Sequence, residues 1–236
     1  MSKKILFFVA LASLLCFAVN ANAAPVAIGN PNSGNGWSTT SAVTVTSSDD
    51  AGTWGMAAAN MVNGSGLDPT LGMGHSNVTW SFTHWLTSDI ASGKTSASGQ
   101  SCNVWIEFSF DKAYDIGNMW VWNYNAYYGS NIGLKDVTID YSADGVTWNS
   151  LGNYELAQAT VYQNIWYDGN WRTINSDDIA FGGVSAKYVV ISATSNWGHA
   201  GKYGLAEVRF YEVPEPMTIA LLGFGALALF GKKRTC

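Results

Sequence analysis

The chain has 236 residues, 12 Lys+Arg against 17 Asp+Glu, and a formal net charge of −5. Five of the basic residues (Lys3, Lys4, Lys232, Lys233 and Arg234) sit at the two ends, so residues 24–215 hold 7 basic and 17 acidic residues, net −10. That balance argues against nucleic acid or an anionic membrane as partner, since both bind through a basic surface. With 11 Trp, 11 Tyr, 25 Gly and only 12% charged residues, the composition is that of a β-rich, turn-rich exported domain.

Residues 1–23 read as a secretory signal peptide: Lys3 and Lys4, an apolar Ile5–Val19, then Ala21-Asn22-Ala23 before the cleavage point. Leu15 stands before Cys16 where a lipobox needs a small residue, which argues against lipidation. About 190 residues follow before the C-terminal stretch, which suits one domain, 24–212, with a sizeable core. Gly29–Gly36 is a flexible entry. Val43–Ser47 alternates and predicts a first strand. Asn60–Asp68 is a Gly-rich loop with several oxygen donors. Val78–Phe82 and Val104–Phe110 predict strands around a small-residue loop, Asp89–Ser101. Ile116–Tyr124 predicts another strand, and Val137–Tyr141 alternates cleanly. Asp144-Gly145 predicts a hairpin turn, with the chain returning as a strand at Val146-Thr147-Trp148. Lys187–Ala193 and Leu205–Tyr211 close the sheet. Helical periodicity is almost absent, so these strands predict a β-sandwich or barrel.

Once Cys16 leaves with the signal and Cys236 with the tail, Cys102 stands alone and no internal disulfide forms. Catalysis finds little support. Asp49-Asp50 and Asp177-Asp178 are neighbours, and neighbouring strand residues point to opposite faces, whereas a glycosidase needs two facing carboxylates. No nucleophile elbow, zinc helix or phosphate loop motif is present.

Binding is better served. Sugars stack apolar C–H faces on aromatic rings and satisfy their hydroxyls with polar side chains. Tyr124, Asn125, Tyr127 and Tyr128 supply such groups in one loop, and Asn196, Trp197 and His199 in another; Tyr162–Trp171 is a third aromatic-polar stretch. The competing reading is that Tyr124 and Trp197 pack beneath the loops, since Tyr and Trp bury readily when the polar tip finds a partner.

The chain ends in Pro214-Glu215-Pro216, an uncharged apolar run Met217–Gly231 and basic Lys232, Lys233 and Arg234. As a helix that run reaches about 22 Å at about 1.5 Å per residue, marginal for a bilayer core of about 30 Å. Residues 213–236 therefore resemble the PEP-CTERM sorting signal of Gram-negative bacteria, with a short transmembrane helix. The resemblance implies export by the Sec route, transient inner-membrane anchoring, processing by an exosortase, and association with exopolysaccharide at the cell surface or in the matrix. Thr235 and Cys236, after the basic cluster, depart from the pattern.

A second resemblance runs from about Ala57 to Tyr211. Met61-Val62-Asn63-Gly64, Trp105-Ile106-Glu107-Phe108, the hairpin Tyr141–Trp148, Lys187–Ile191 and Gly204–Tyr211 resemble, in that order, a discoidin domain (coagulation factor type C) of the galactose-binding-like superfamily. It implies a jelly-roll β-sandwich whose termini lie close together and whose ligand loops gather at one end. It also implies a structural calcium, with Asn63, Asp68 and Glu207 as the matching candidates. Calcium takes six to eight oxygens, and Asn63 stands where the family has Asp, removing one negative charge. The alternative is that Asn63-Gly64 is only a turn and Glu207 pairs with a nearby Lys or Arg. Two functions stay open: a non-catalytic lectin-like module for surface or matrix polysaccharide, and a structural matrix or biofilm protein acting through protein–protein contacts.

Overall fold

The computed structural model describes residues 26–28, 42–49, 56–64, 66–68, 74–75, 83–88, 92–125, 129–159 and 176–213. The expected signal peptide, the 29–36 entry, the 78–82 strand, the 162–171 stretch, Tyr127, Tyr128 and the sorting residues Pro214, Glu215, Pro216, Lys232, Lys233 and Arg234 lie outside them. The strands in chain order are β1 (Val26–Ala27), β2 (Val43–Ser47), β3 (Leu67–Asp68), β4 (Gly74–His75), β5 (Trp85–Leu86), β6 (Lys94–Thr95), β7 (Ser101–Cys102), β8 (Val104–Asn123), β9 (Asp136–Ser142), β10 (Asn149–Glu155), β11 (Asp177–Ala193) and β12 (Gly204–Glu212). Among the described residues the helical elements are short 3-10 turns at Ala58–Val62 and Ser130–Ile132.

Two long strands organise the fold. The start of β8 pairs with β2 on one side and with the end of β11 on the other, and β11 continues to β9 and β10. The end of β8 pairs with β12 on one side and with the start of β11 on the other, and β12 carries β5. All these pairings are antiparallel. Both strands thus run through two layers, and they change layer where the β8–β11 register shifts, between Ala186 and Tyr188.

The core lies between the layers. Val104, Ile106, Phe108 and Phe110 alternate inward from the first half of β8, with Val137, Ile139, Val189 and Ile191 beside them. Met119, Val121, Val208, Phe210, Ile179 and Phe181 face them from the second layer. Phe210 joins the halves: its ring meets Phe108 at 5.2 Å, Phe110 at 5.0 Å and Phe181 at 6.4 Å, all edge-to-face, the arrangement that the aromatic quadrupole favours. The architecture is a β-sandwich, as the alternation of apolar residues predicts.

Residues 27–212 form one compact unit. Within it the first and last described segments meet, because the Ile28 N–H donates to the Phe210 carbonyl at 2.9 Å.

Three expectations need correction. The segments 104–110 and 116–124 are one strand, because β11 spans both and keeps the polar step 111–115 extended. β11 begins ten residues before the expected Lys187, at Asp177; its Ile179/Phe181 alternation is cut by Gly182 and Gly183, whose φ values of 69° and 82° make an irregularity that only glycine takes readily. Finally, Val146–Trp148 is no strand. The Asp144 carboxylate accepts the N–H groups of Val146 and Thr147 at 2.8 and 2.7 Å, Gly145 takes φ 76°, and β10 starts only at Asn149. Those local bonds offer the backbone an alternative to the ladder.

Candidate functional site

Two loops meet beyond the sandwich: the one leaving β8 and the one entering β12. Asn123, the last residue of β8, fastens the first. Its Nδ2 donates to the carbonyls of Leu134 (2.7 Å) and Ala157 (2.9 Å), and its Oδ1 accepts the Tyr124 N–H at 2.9 Å. Tyr124 then turns inward. It is fully buried against Met56, Leu86 and Ile132, with its ring edge-on to His84 at 5.3 Å. Gly204 makes room: a Cβ there would lie 2.9 Å from Tyr124 Cε2 and 3.0 Å from the Trp85 carbonyl.

Asn125 follows Tyr124 into the interior, its Oδ1 2.5 Å from His84 Nε2. An amide oxygen can only accept, so Nε2 carries the proton and Nδ1 accepts from the Thr83 hydroxyl at 3.2 Å. Burial lowers the His84 pKa to about 4, against the opposing pull of the Asn125 bond, so the ring is neutral at pH 7. Tyr124 and Asn125 are therefore interior residues, not an exposed ligand surface. The physical reason is the apolar ring area that Tyr124 hides once Gly204 lets the backbone approach.

The second loop keeps its aromatic at the surface. Asn196 is a scaffold residue: Nδ2 donates to the carbonyls of His199 (2.9 Å) and Lys202 (2.8 Å), and Oδ1 accepts the Gly198 N–H at 2.9 Å. Nδ1 of His199 accepts the N–H groups of Gly201 and Lys202 at 3.2 and 3.0 Å. Trp197 is half-buried. Its Nε1 donates to the Leu156 carbonyl at 3.2 Å, and Lys135 Nζ sits 5.1 Å from its ring centroid, within cation–π range.

Beside Trp197 runs an open cleft of about 300 Å³, lined by Asp136, Val137, Thr138, Asn153, Tyr154, Glu155 and Thr194. Lys135 connects the two, because its Nζ also lies 3.9 Å from Glu155 Oε2. The walls are ordered by their own bonds: Thr138 Oγ1 donates to Asn153 Oδ1 at 2.8 Å, and the Ser195 hydroxyl to Asp136 Oδ2 at 2.5 Å. Hydroxyl, amide and carboxylate groups thus line the trough, and Lys135 stands between its Glu155 wall and the Trp197 indole. The sequence reading missed these residues. Strand pairing sets Thr138 opposite Asn153 and Asp136 opposite Glu155, but a register shift between Ser150 and Gly152 hides that pairing from any count outward from the turn.

Of the metal candidates, Asn63 and Glu207 already have protein partners among the described residues. Asn63 is exposed and its Nδ2 donates to Asn60 Oδ1 at 3.3 Å; Asp68 lies in β3. Glu207 is fully buried. Its Oε1 accepts the Gly64 N–H at 3.2 Å and faces Arg209 Nη2 at 2.9 Å, while Oε2 makes no hydrogen bond. Burial pushes the Glu207 pKa up, opposed by the Arg209 guanidinium and the Gly64 N–H. The described partners of Glu207 Oε1 are a guanidinium and an N–H donor, which are not the oxygens that calcium takes. No group of three or more His, Cys, Asp or Glu capable of holding a metal occurs among the described residues.

The acidic neighbours have structural partners. Asp177 accepts the Ala157 N–H at 3.0 Å, Asp178 accepts from Asn118 at 2.7 Å, and Asp49 accepts the Ser88 N–H at 2.6 Å. Cys102 is a buried free thiol whose pKa is raised by burial.

No protein-family model matches the chain, and no curated protein matches it. Among solved structures it is similar to CBM32-3 from a family 31 glycoside hydrolase of Clostridium perfringens (18% identity, 72% of this chain and 90% of that one, TM-score 0.47). It is also similar to the family 32 carbohydrate-binding module of Clostridium perfringens NanJ in complex with galactose (14%, 72% and 93%, TM-score 0.45). A third is chitosan-binding module 1 from a chitosanase/glucanase of Paenibacillus sp. IK-5 (20%, 72% and 96%, TM-score 0.43). At such identities and TM-scores, ligand and site have to be argued from this chain's own residues.

Proposed function

We propose that the chain is an exported, non-catalytic binding protein whose ligand is a polysaccharide, held across Trp197 and the cleft over the β9–β10 pair. The observation that supports this most is the juxtaposition of a half-buried indole with a trough lined by Asp136, Thr138, Asn153, Glu155 and Thr194. An indole offers a face to sugar C–H groups, and the trough offers acceptors and donors to hydroxyls. The net charge of −10 over residues 24–215 disfavours acidic glycans, most strongly at low salt. The neutral or acetylated polymers that remain fit an open, shallow surface with dissociation constants on the order of 0.1–1 mM.

The ends of the chain support a matching address. A leader at 1–23, the PEP motif, the apolar run and the basic end at 213–236 belong to a route of Sec export, inner-membrane anchoring and exosortase cleavage, ending at the surface or in the matrix of a Gram-negative cell. Intact-mass measurement of the native protein tests it. Mature protein lacking both ends is expected, and surface protein still carrying 217–236 counts against exosortase processing.

Binding is tested on a glycan array followed by calorimetric titration of each hit, with Trp197→Ala as control. A hit weakened by that substitution supports the reading, and no hit on neutral or acetylated polysaccharides sinks it. One observation favours the alternative of a structural matrix protein: among the described strands, β10 pairs with β9 alone, and a strand paired on one side is where a further strand adds. Concentration-dependent self-association without glycan binding is the outcome that favours it.

A further inference from the structure

We propose that Arg209, and no metal ion, is the counter-cation of Glu207, so that the tie between the 60–64 loop and the last strand is built from the chain itself and needs no calcium. This goes beyond the binding function and does not depend on it.

Alternation along β12 sends Val208 and Phe210 into the core and sets Glu207 and Arg209 together on the opposite face. That face is covered: Glu207 is 0% exposed and Arg209 4%. A guanidinium so deeply removed from water needs a negative partner, and Glu207 Oε1 stands 2.9 Å from its Nη2. The same oxygen accepts the Gly64 N–H, 143 residues earlier in the chain. One carboxylate thus joins the early loop to the last strand. Gly64 suits the contact, because its φ of 72° turns the backbone into the left-handed region that glycine takes without penalty. A divalent ion on this carboxylate would stand beside a buried cation, and the loop presents it an N–H where a metal needs an oxygen. Metal and guanidinium therefore compete for Oε1.

The test is thermal unfolding of the purified full chain in EDTA and in millimolar calcium, with Glu207→Gln, Arg209→Met and the double variant alongside. Calcium bound at about a hundredfold its Kd would raise Tm by about 5–10 °C. No such rise is expected in the unmodified chain, and that reading requires no variant to fold. A rise that persists in Glu207→Gln places the ion elsewhere and leaves the pair intact. In the cycle, each single change is expected to lower Tm by about 10 °C, because it strands a buried charge or donor, and the double change by much less than the sum. A calcium-induced rise that Glu207→Gln abolishes overturns the proposal. So does additivity of the two single changes.

Discussion

Tyr124 and Trp197 arise from the same kind of sequence, an aromatic set among Asn and Gly in a loop, and the fold treats them oppositely. Tyr124 is driven under the loops, where Gly204 opposite leaves space and Met56, Leu86 and Ile132 close over the ring. Trp197 is held at the rim by one N–H···O bond to Leu156 and flanked by Lys135. Local polarity does not separate the cases, since both have an Asn at the next or preceding position. What separates them is how the Asn is used. Asn123 and Asn125 reach inward, to Leu134, Ala157 and His84, and draw the chain down. Asn196 closes bonds within its own loop and leaves the neighbouring indole outside.

The contrast breaks most sharply in stability. Tyr124→Ala is expected to cost about 3–5 kcal/mol, as for other fully buried aromatics. Gly204→Ala should be of similar consequence, because its Cβ has only the Tyr124 ring and the Trp85 carbonyl to displace. Denaturant midpoints measure both. A Tyr124→Ala loss below about 1 kcal/mol, outside the range for a buried aromatic, would return the ring to the surface and erase the distinction.

A second effect belongs to the interior region alone. The folded-state pKa of His84 is about 4, below its ordinary 6.5, so the unfolded chain takes up the proton first. Its stability contribution is complete above pH 6.5 and is lost as pH falls through 4, up to about 3 kcal/mol. His84→Gln should flatten that window. Carboxylates also titrate towards the lower end, so the measured quantity is the difference in unfolding free energy between unmodified chain and variant from pH 7 to 4, in which their contribution cancels. A constant difference would mean that the imidazole is not held neutral by burial.

The parts that could be read from the sequence have a common character. β2, β9 and β12 fall close to the expected ranges because each is one uninterrupted stretch rich in apolar and β-branched residues. β8 and β11 are longer than the apolar alternation shows, because each serves two layers and its alternation is interrupted, by the polar step 111–115 in β8 and by Gly182 and Gly183 in β11. The site was harder. Trp197 could be named as a candidate, but Asp136 and Asn153 become neighbours only through a strand pairing with a bulge in it. Glu207 was picked out by resemblance, while its partner Arg209, two residues on in the same strand, follows from alternation once the strand is known.

At the rim the expected effects are smaller and should split between folding and binding. Trp197→Ala removes a half-buried ring and one hydrogen bond to a backbone carbonyl, so about 1–2 kcal/mol of stability should go. Glycan affinity should fall about tenfold or more if the indole is the stacking surface, since tenfold corresponds to about 1.4 kcal/mol. Lost stability with unchanged affinity would make Trp197 a packing residue after all.

The smallest change sharpens the comparison most. Asn153 is exposed on the edge strand, and its Oδ1 accepts only a surface hydrogen bond, 2.8 Å from Thr138 Oγ1. Asn153→Ala should shift the denaturant midpoint by no more than a few tenths of a kcal/mol, as at other surface positions. If glycan hydroxyls enter the cleft, losing this amide should weaken binding about 3- to 10-fold, the worth of one or two neutral hydrogen bonds. Calorimetric titration of Asn153→Ala beside Trp197→Ala then locates the ligand. Weakening in both means that the polymer crosses from the indole into the trough. If only Trp197→Ala weakens binding, the sugar stacks on the indole and stays out of the cleft, and Lys135, which lies between the two, becomes the next position to change. If neither does, the rim reading fails, and Tyr127 and Tyr128 are the remaining aromatic candidates from that loop.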